Sequence, residues 1–289
     1  MLTLTRRRLA LAGICACLVV LPAAGGWTAG RSIRHAAVSA SGAASPAPIR
    51  LDPFTSASPS ALPSLSPSPV LPPPIGWKLT DVPRFPPPPP PEPIVLPDGD
   101  EVPYLSRVPV TQPVAFLTID DGYLAHPEAP KLLAAAGIPV TLFLTTDAIH
   151  ENVPFFGALR DHGAVIEAHT ITHPELRGRS YAFQKRQICG GTDRLESWYG
   201  RRPVLFRPPF GDKDHTTLRV AKECGIKAAF MWKETVNEGI VRYQEGHRLQ
   251  PGDIILMHFR PAFVKDFLAA LRAMRAAGLT PALLEDYVP

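Results

Sequence analysis

Proline is the feature that most limits what this chain can fold into. Of its 35 prolines, 23 lie in residues 1–113 and 12 in the rest of the 289-residue chain. Each proline fixes φ and removes an amide donor, so such density excludes helix interiors and central strands. Residues 31–113 are also rich in Ser and Ala and carry the runs Pro72–Pro74 and Pro86–Pro91. They are expected to form a disordered, polyproline-like linker that cannot bury enough apolar surface to fold. The scattered apolar residues Ile75, Trp77, Leu79 and Val82 are counted with that linker. Residues 114–289 then form one domain, long enough for a sizeable core.

Ahead of the linker, Arg6, Arg7 and Arg8 precede an apolar run from Leu9 to Ala24. This is the pattern of a signal peptide or membrane anchor over residues 1–30. The run is about 16 residues against the roughly 20 that a full span needs, and both fates stay open. The expected location is extracellular, secreted or anchored at the outer cell surface. Membrane contact is then confined to the N-terminal segment, and a stiff spacer carries a monomeric domain into or across a cell wall.

The formal charge is +4, but beyond residue 113 there are 21 Lys/Arg against 20 Asp/Glu. A domain so nearly neutral has no basic field for nucleic acid. Cys189 and Cys224 are the two cysteines outside the apolar run, and no CxxC pair suggests a thiolate zinc site. A disulfide between them is chemically allowed in an exported domain. Two separate buried thiols are the default expectation.

From residue 114 short apolar runs alternate with amphipathic ones. Strands are predicted over 114–120, 140–145, 164–168, 204–207, 228–232, 253–257 and 281–284. Helices are predicted over 127–136, 155–162, 181–199, 215–224 and 263–277. Alternating β and α implies a parallel sheet covered by helices. About seven such units suit a small or irregular (β/α) barrel, with an open doubly wound sheet as the alternative. No glycine-rich phosphate loop follows the first strand.

In such a barrel, chemistry gathers where strands end. Asp120 and Asp121 end the first predicted strand, Glu167 and His169 the third, and Arg207 the fourth. Lys233 and Glu234 follow the fifth, and His258 ends the next. Each has a plain structural explanation alone. Asp-Asp-Gly is a common turn, and a buried histidine is often only part of a core. The four-residue spacing of His169 and His173 would put both on one face of a helical turn. Together, one carboxylate and two imidazoles make a ligand set suited first to Zn²⁺, and also to Mn²⁺, Co²⁺ or Ni²⁺.

Thr118-Ile119-Asp120-Asp121-Gly122, His169-Thr170-Ile171-Thr172-His173-Pro174, Arg207-Pro208-Pro209-Phe210-Gly211 and Leu256-Met257-His258 occur in this order. They resemble the four ordered motifs TxDDG, HTxxHP, RxPFG and LxH of the NodB-homology polysaccharide deacetylases, carbohydrate esterase family 4. The resemblance implies a distorted (β/α) barrel and one divalent metal held by Asp121, His169 and His173. It implies Asp120 as general base, His258 as general acid and Arg207 as the residue that orients Asp120. A backbone N–H near Phe210 would hold the oxyanion. The family's segment pairing an Asp with a Trp corresponds here to Trp232–Glu238, which lacks the Asp. Glu234 is the expected substitute beside His258. Arg260 stands near the position where the family has an Asp after the motif histidine.

The implied activity is deacetylation of an N-acetylglucosamine polymer, peptidoglycan before chitin. The alternatives are O-acetyl esterase action on a xylan-type polysaccharide and a catalytically weakened wall-binding module.

Overall fold

The computed structural model describes residues 76–288. The expected signal or anchor segment, and the linker as far as residue 75, lie outside the described residues. Among the described residues no helix is long and apolar enough to cross a membrane.

Among the described residues there are ten strands and six α-helices. They are β1 (Tyr104–Leu105), β2 (Val114–Asp121), α1 (Ala129–Ala136), β3 (Val140–Leu144), α2 (Thr146–Ile149), α3 (Val153–Ala158), β4 (Ala164–Ala168), α4 (Tyr181–Tyr199), β5 (Leu205–Phe206), α5 (His215–Glu223), β6 (Ala228–Phe230), β7 (Glu234–Asn237), β8 (Ile240–Tyr243), β9 (Ile254–His258), α6 (Phe263–Ala277) and β10 (Thr280–Pro281). The sheet runs β1-β6-β5-β4-β3-β2-β9-β7-β8, with β10 added to β2. Its pairings are parallel except for the β7–β8 hairpin. It curls into a partial barrel, as the alternation implied.

Side-chain alternation along β2 shows how the barrel is filled. Ala115, Leu117 and Ile119 join the apolar layer under the helices, while Val114 and Phe116 point inward. Period two therefore places Thr118 and Asp120 on the inward face above Phe116. Phe143 and Phe230 enter from β3 and β6, and Tyr287 closes the bottom edge-on to Phe116, at 5.2 Å between ring centroids. The interior is a packed plug, open only where the strands end.

Three strands exceed the seven expected. One is β1, within the presumed linker, where Tyr104 and Leu105 pair with Ala229 and Phe230. The linker boundary at 113 is therefore corrected, because residues 76–113 form a strap on the domain. Trp77 Nε1 donates to Glu128 at 2.9 Å, and the Ile94 N–H donates to the Tyr287 carbonyl. Val82, Val102 and Val108 are buried. Apolar residues spaced this widely cannot build a core of their own, but they can share one. A proline-rich chain needs no partner strand to lie extended over it.

The other extra strands are β7 and β8, in a stretch expected to be loop. Glu238 and Gly239 have φ of 55° and 75°, the left-handed pair of a two-residue hairpin turn. The cysteine expectation is also corrected: Cys189 on α4 bonds to Cys224 just after α5, with Cα atoms 4.9 Å apart. Closing a loop of 35 residues contributes about 3–4 kcal/mol in the chain-entropy account.

The strap makes a stability prediction. A chain beginning at residue 114 loses three buried valines and a strand on the β6 edge. It should melt roughly 10 °C or more below one beginning at residue 76. Equal melting temperatures by calorimetry would return the segment to the status of a linker.

Candidate active site

Parallel register aligns the site. Asp120 on β2 lies opposite Phe143 of β3 on one side and His258 of β9 on the other. Arg207, just past β5, enters the barrel from across the sheet and is fully buried. Its Nη1 donates to Asp120 Oδ1 at 2.6 Å and to Thr118 Oγ1 at 2.8 Å, and Nη2 donates to the Met231 carbonyl at 3.1 Å. The guanidinium lies over the Phe143 ring, 4.4 Å from its centroid. It is thus held by charge, hydrogen bonds and an aromatic face.

Adjacent residues of a strand point to opposite faces, yet Asp120 and Asp121 both reach the site. The backbone at Asp121 explains this, since its φ of 71° ends the strand in a left-handed turn. Gly122 continues the turn at φ 92°, where a Cβ would sit 2.3 Å from Ile149 Cγ2. Thr170 (φ 72°), His173 (φ 57°) and Phe210 (φ 62°) are left-handed as well. Among the described residues only Glu238 shares this non-glycine conformation outside the site segments. Strain of this kind persists where surrounding contacts impose it.

His169 and His173 do meet, though not on a helical turn as expected. They lie on an irregular loop after β4, folded back by Thr170 and His173. Gln187 of α4 holds that loop. Its Oε1 accepts from the Ile171 and Thr172 N–H groups at 3.1 Å each, and its Nε2 donates to Thr172 Oγ1 at 3.0 Å. Gly191 lets the helix come this close, because a Cβ there would lie 3.0 Å from the Thr170 carbonyl carbon. His169 Nδ1 lies 2.6 Å from the Arg207 carbonyl. That contact requires Nδ1–H and leaves the Nε2 lone pair facing the site.

Asp121 Oδ1 is buried, accepts no hydrogen bond of normal geometry, and lies 3.3 Å from Nε2 of both His169 and His173. The three ligand atoms lie within 4.8 Å of one another. An orphaned carboxylate oxygen between two imidazole nitrogens, one with its lone pair fixed inward, fits a divalent cation. Burial pushes the Asp121 carboxyl up, but the imidazoles, His169 first, outweigh it and hold it below its usual range. Burial, then the neighbouring His169, holds His173 below the ordinary imidazole value. His258 Nε2 lies 3.8 Å from Asp121 Oδ2, and its pKa too is lowered chiefly by burial.

These groups open into a cavity of about 610 Å³, lined also by Phe210, Trp232, Leu256 and the β7–β8 hairpin. Phe210 is exposed and lies edge-on to His173, at 4.6 Å between ring centroids. Tyr104, from the strap, donates to the Gly211 carbonyl at 2.6 Å and so props the Phe210 loop. Burial pushes its phenol up to about 12.

Three strand-end residues stay out of the cavity lining. Lys233 pairs with Glu245, and Glu167 is buried against Arg201 at 2.6 Å. Glu234 is the third, and its expected role beside His258 is corrected. It is buried beside Asp253, with Oε2 lacking a hydrogen-bond partner, and the carboxylates acting on His258 are Asp120 and Asp121. Its strand pairs parallel with β9 in a register that sets Glu234 opposite Ile255, three residues below His258. Gln187, Tyr104 and the hairpin escaped the sequence reading. For the hairpin there was a signal, Glu238-Gly239 between two β-prone runs.

Residues 107–229 match the polysaccharide deacetylase family model. Over this stretch the domain is similar to the NodB-homology deacetylases of carbohydrate esterase family 4. Over 155 residues it is 43% identical to an uncharacterized protein of Streptomyces coelicolor, covering 53% of this chain and 62% of that one. It is 26% identical over 162 residues to a peptidoglycan-N-acetylglucosamine deacetylase of Bacillus cereus, covering 53% and 75%. The fold is shared with a family 4 pseudoenzyme from Bacillus anthracis at a TM-score of 0.55 and 18% identity, covering 64% and 69%. The chain thus spans somewhat under two thirds of the Streptomyces relative.

Glu234 yields a pH prediction. Burial and the adjacent Asp253 raise its pKa from 4.5 to about 9. Between those values the unfolded chain has released a proton that the folded chain keeps, so stability falls as pH rises. The slope for one such group reaches about 1.4 kcal/mol per pH unit. Glu234→Gln should flatten the loss of melting temperature between pH 5 and 9 in part, since Glu285, raised to about 8, acts in the same direction. An unaltered slope would show that Glu234 is ionised in the folded state.

Proposed function

We propose that this chain is an exported, metal-dependent deacetylase that removes N-acetyl groups from an N-acetylglucosamine polymer, peptidoglycan before chitin. The observation that carries this reading is the convergence, in one open cavity, of the Arg207–Asp120 pair, the Asp121–His169–His173 set and His258. The activity of the Bacillus relative supports the polymer, and the Cys189–Cys224 bond supports an oxidising compartment. The N-terminal arginine cluster and apolar run favour secretion or anchoring at the outer surface.

Asp121, His169 and His173 would hold one divalent ion, with Zn²⁺ preferred for two imidazoles and a carboxylate. Such an ion supplies Lewis acidity to the acetyl carbonyl and acidity to the attacking water. The chain's own residues carry the rest. Arg207 occupies Asp120 Oδ1, which leaves Oδ2 to take the water proton. Phe210 lines the cavity, and its backbone N–H is assigned to the oxyanion. His258, across from Asp120 on β9, gives a proton to the departing amine. A pKa lowered by burial makes its protonated form a stronger acid.

Two measurements test this. Metal analysis of the full chain should find one divalent ion, and a His169→Ala, His173→Ala double variant should hold none. Full occupancy in that variant would overturn the ligand assignment.

Mass spectrometry of wall glycans incubated with the zinc-loaded chain should show loss of one acetyl mass per amino sugar, with a free amine in the product. A free hydroxyl would instead establish the O-acetyl esterase. Asp120→Asn and His258→Ala should each lower the rate by roughly 10²–10⁴-fold, the scale of general acid–base groups. No product from any acetylated glycan or chromogenic acetyl ester would leave a wall-binding module.

A further inference from the structure

One wall of the cavity is made by β7, β8 and the residues after β9, and it carries two arginines, Arg242 and Arg260. Both are exposed. Their side-chain hydrogen bonds go to a single residue, Asn237. Arg242 Nη1 donates to its carbonyl at 3.3 Å, and Arg260 Nη1 donates to its side-chain Oδ1 at 3.2 Å. Among the described residues neither arginine forms an ion pair, whereas Arg201, Arg202 and Arg207 each meet a carboxylate. The acids lining the cavity are already engaged. Asp120 is tied to Arg207, and Asp121 lies between the imidazoles.

The uncommitted charges on the cavity wall are therefore both positive, and both are fixed by one asparagine. Two guanidinium groups directed at one residue repel each other, and their remaining donors are unused. Planar donor forks of this kind match carboxylates.

We infer that Arg242 and Arg260 form a subsite for a carboxylate carried by the glycan at or next to the acetamido sugar, so that the substrate is an acidic glycan. This rests on the deacetylase reading and narrows it. A carboxylate can come from an acid ether-linked to the amino sugar, as in the muramic residues of peptidoglycan, or from a sugar oxidised at C6. The recognition chemistry is the same, but the distance from the acetamide differs.

The test uses the full zinc-loaded chain and four glycans. These are peptide-free wall strands, the same strands with carboxylates converted to methyl esters, neutral N-acetylchitotetraose, and that tetramer oxidised at C6. Acetyl release and calorimetric binding are both measured, the latter with chelator present so that no turnover occurs. The strands should exceed their methyl esters in kcat/KM by about tenfold, the scale of one charge-assisted hydrogen bond. That ratio should shrink as ionic strength rises. It should fall toward one in an Arg242→Gln, Arg260→Gln variant and be largely kept in Arg242→Lys, Arg260→Lys. Rescue by lysine separates charge from mere support of the hairpin. A stronger preference for the oxidised tetramer than for the strands would assign the subsite to the C6 carboxylate. Equal kcat/KM for strands and methyl esters, or a preference that survives the glutamine variant, would overturn the inference. If no glycan loses acetyl, the deacetylase reading fails, and binding decides the subsite alone. Tighter binding of acid than ester, lost in the glutamine variant, upholds it; equal binding rejects it.

Discussion

The Arg207–Asp120 ion pair lies where the inward faces of the sheet converge, and the site is assembled around it. A guanidinium removed from water costs several kcal/mol unless its donors find partners. Here Asp120, Thr118 and the Met231 carbonyl take the two Nη groups and the Phe143 ring lies against the plane, while Nε–H has no partner. These partners come from β2, β3 and the chain after β6, so the cation ties together strands distant in sequence. Its own carbonyl receives His169 Nδ1. One residue thereby aims the proposed base and sets the tautomer of a proposed metal ligand. Losing either half of the pair would leave a buried charge alone, a heavier cost than the pair's own net contribution.

Around this centre, the structure spends its irregular backbone where ligands must converge. The left-handed residues Asp121, Thr170, His173 and Phe210 turn side chains inward that regular strands would send elsewhere. Such conformations hold only if neighbours are rigid. Gln187 secures the histidine loop from α4, Tyr104 props the Phe210 loop from the strap, and the disulfide joins α4 to the end of α5. A segment rich in proline is thus part of the machinery at one remove. It carries the tyrosine that supports the loop assigned to the oxyanion.

Much of this was readable from residues alone. Alternating apolar runs marked the parallel strands, because a strand buried on both faces has no polar side to interrupt it. The positions of Asp120, His169, Arg207 and His258 at strand ends followed from that reading, and four ordered motifs carried the resemblance to the deacetylase family. The misreadings share a cause. Tyr104 and Leu105 form a strand only because β6 presents an edge to them. Val82 and Val102 look isolated until the helical layer supplies their neighbours. Glu234 follows a strand, as His258 ends one, yet the parallel register sets it three residues below. The hairpin at Glu238-Gly239 did have a local signal, which the surrounding polar residues obscured.

The sequence by itself determined the order of seven of the ten strands and of the helices between them, the near-neutral charge of the domain and the identity of the groups that carry the proposed chemistry. Those depend on local periodicity and side-chain type. Tertiary structure decided which groups meet. The meeting of Asp121 with His169 and His173, the pairing of Cys189 with Cys224, the approach of Glu234 to Asp253 and the cavity that two arginines share with the proposed metal ligands all join residues separated in the chain. Their distances are set by sheet curl and strand register, which arise from the packing of the whole domain and from no single segment of it.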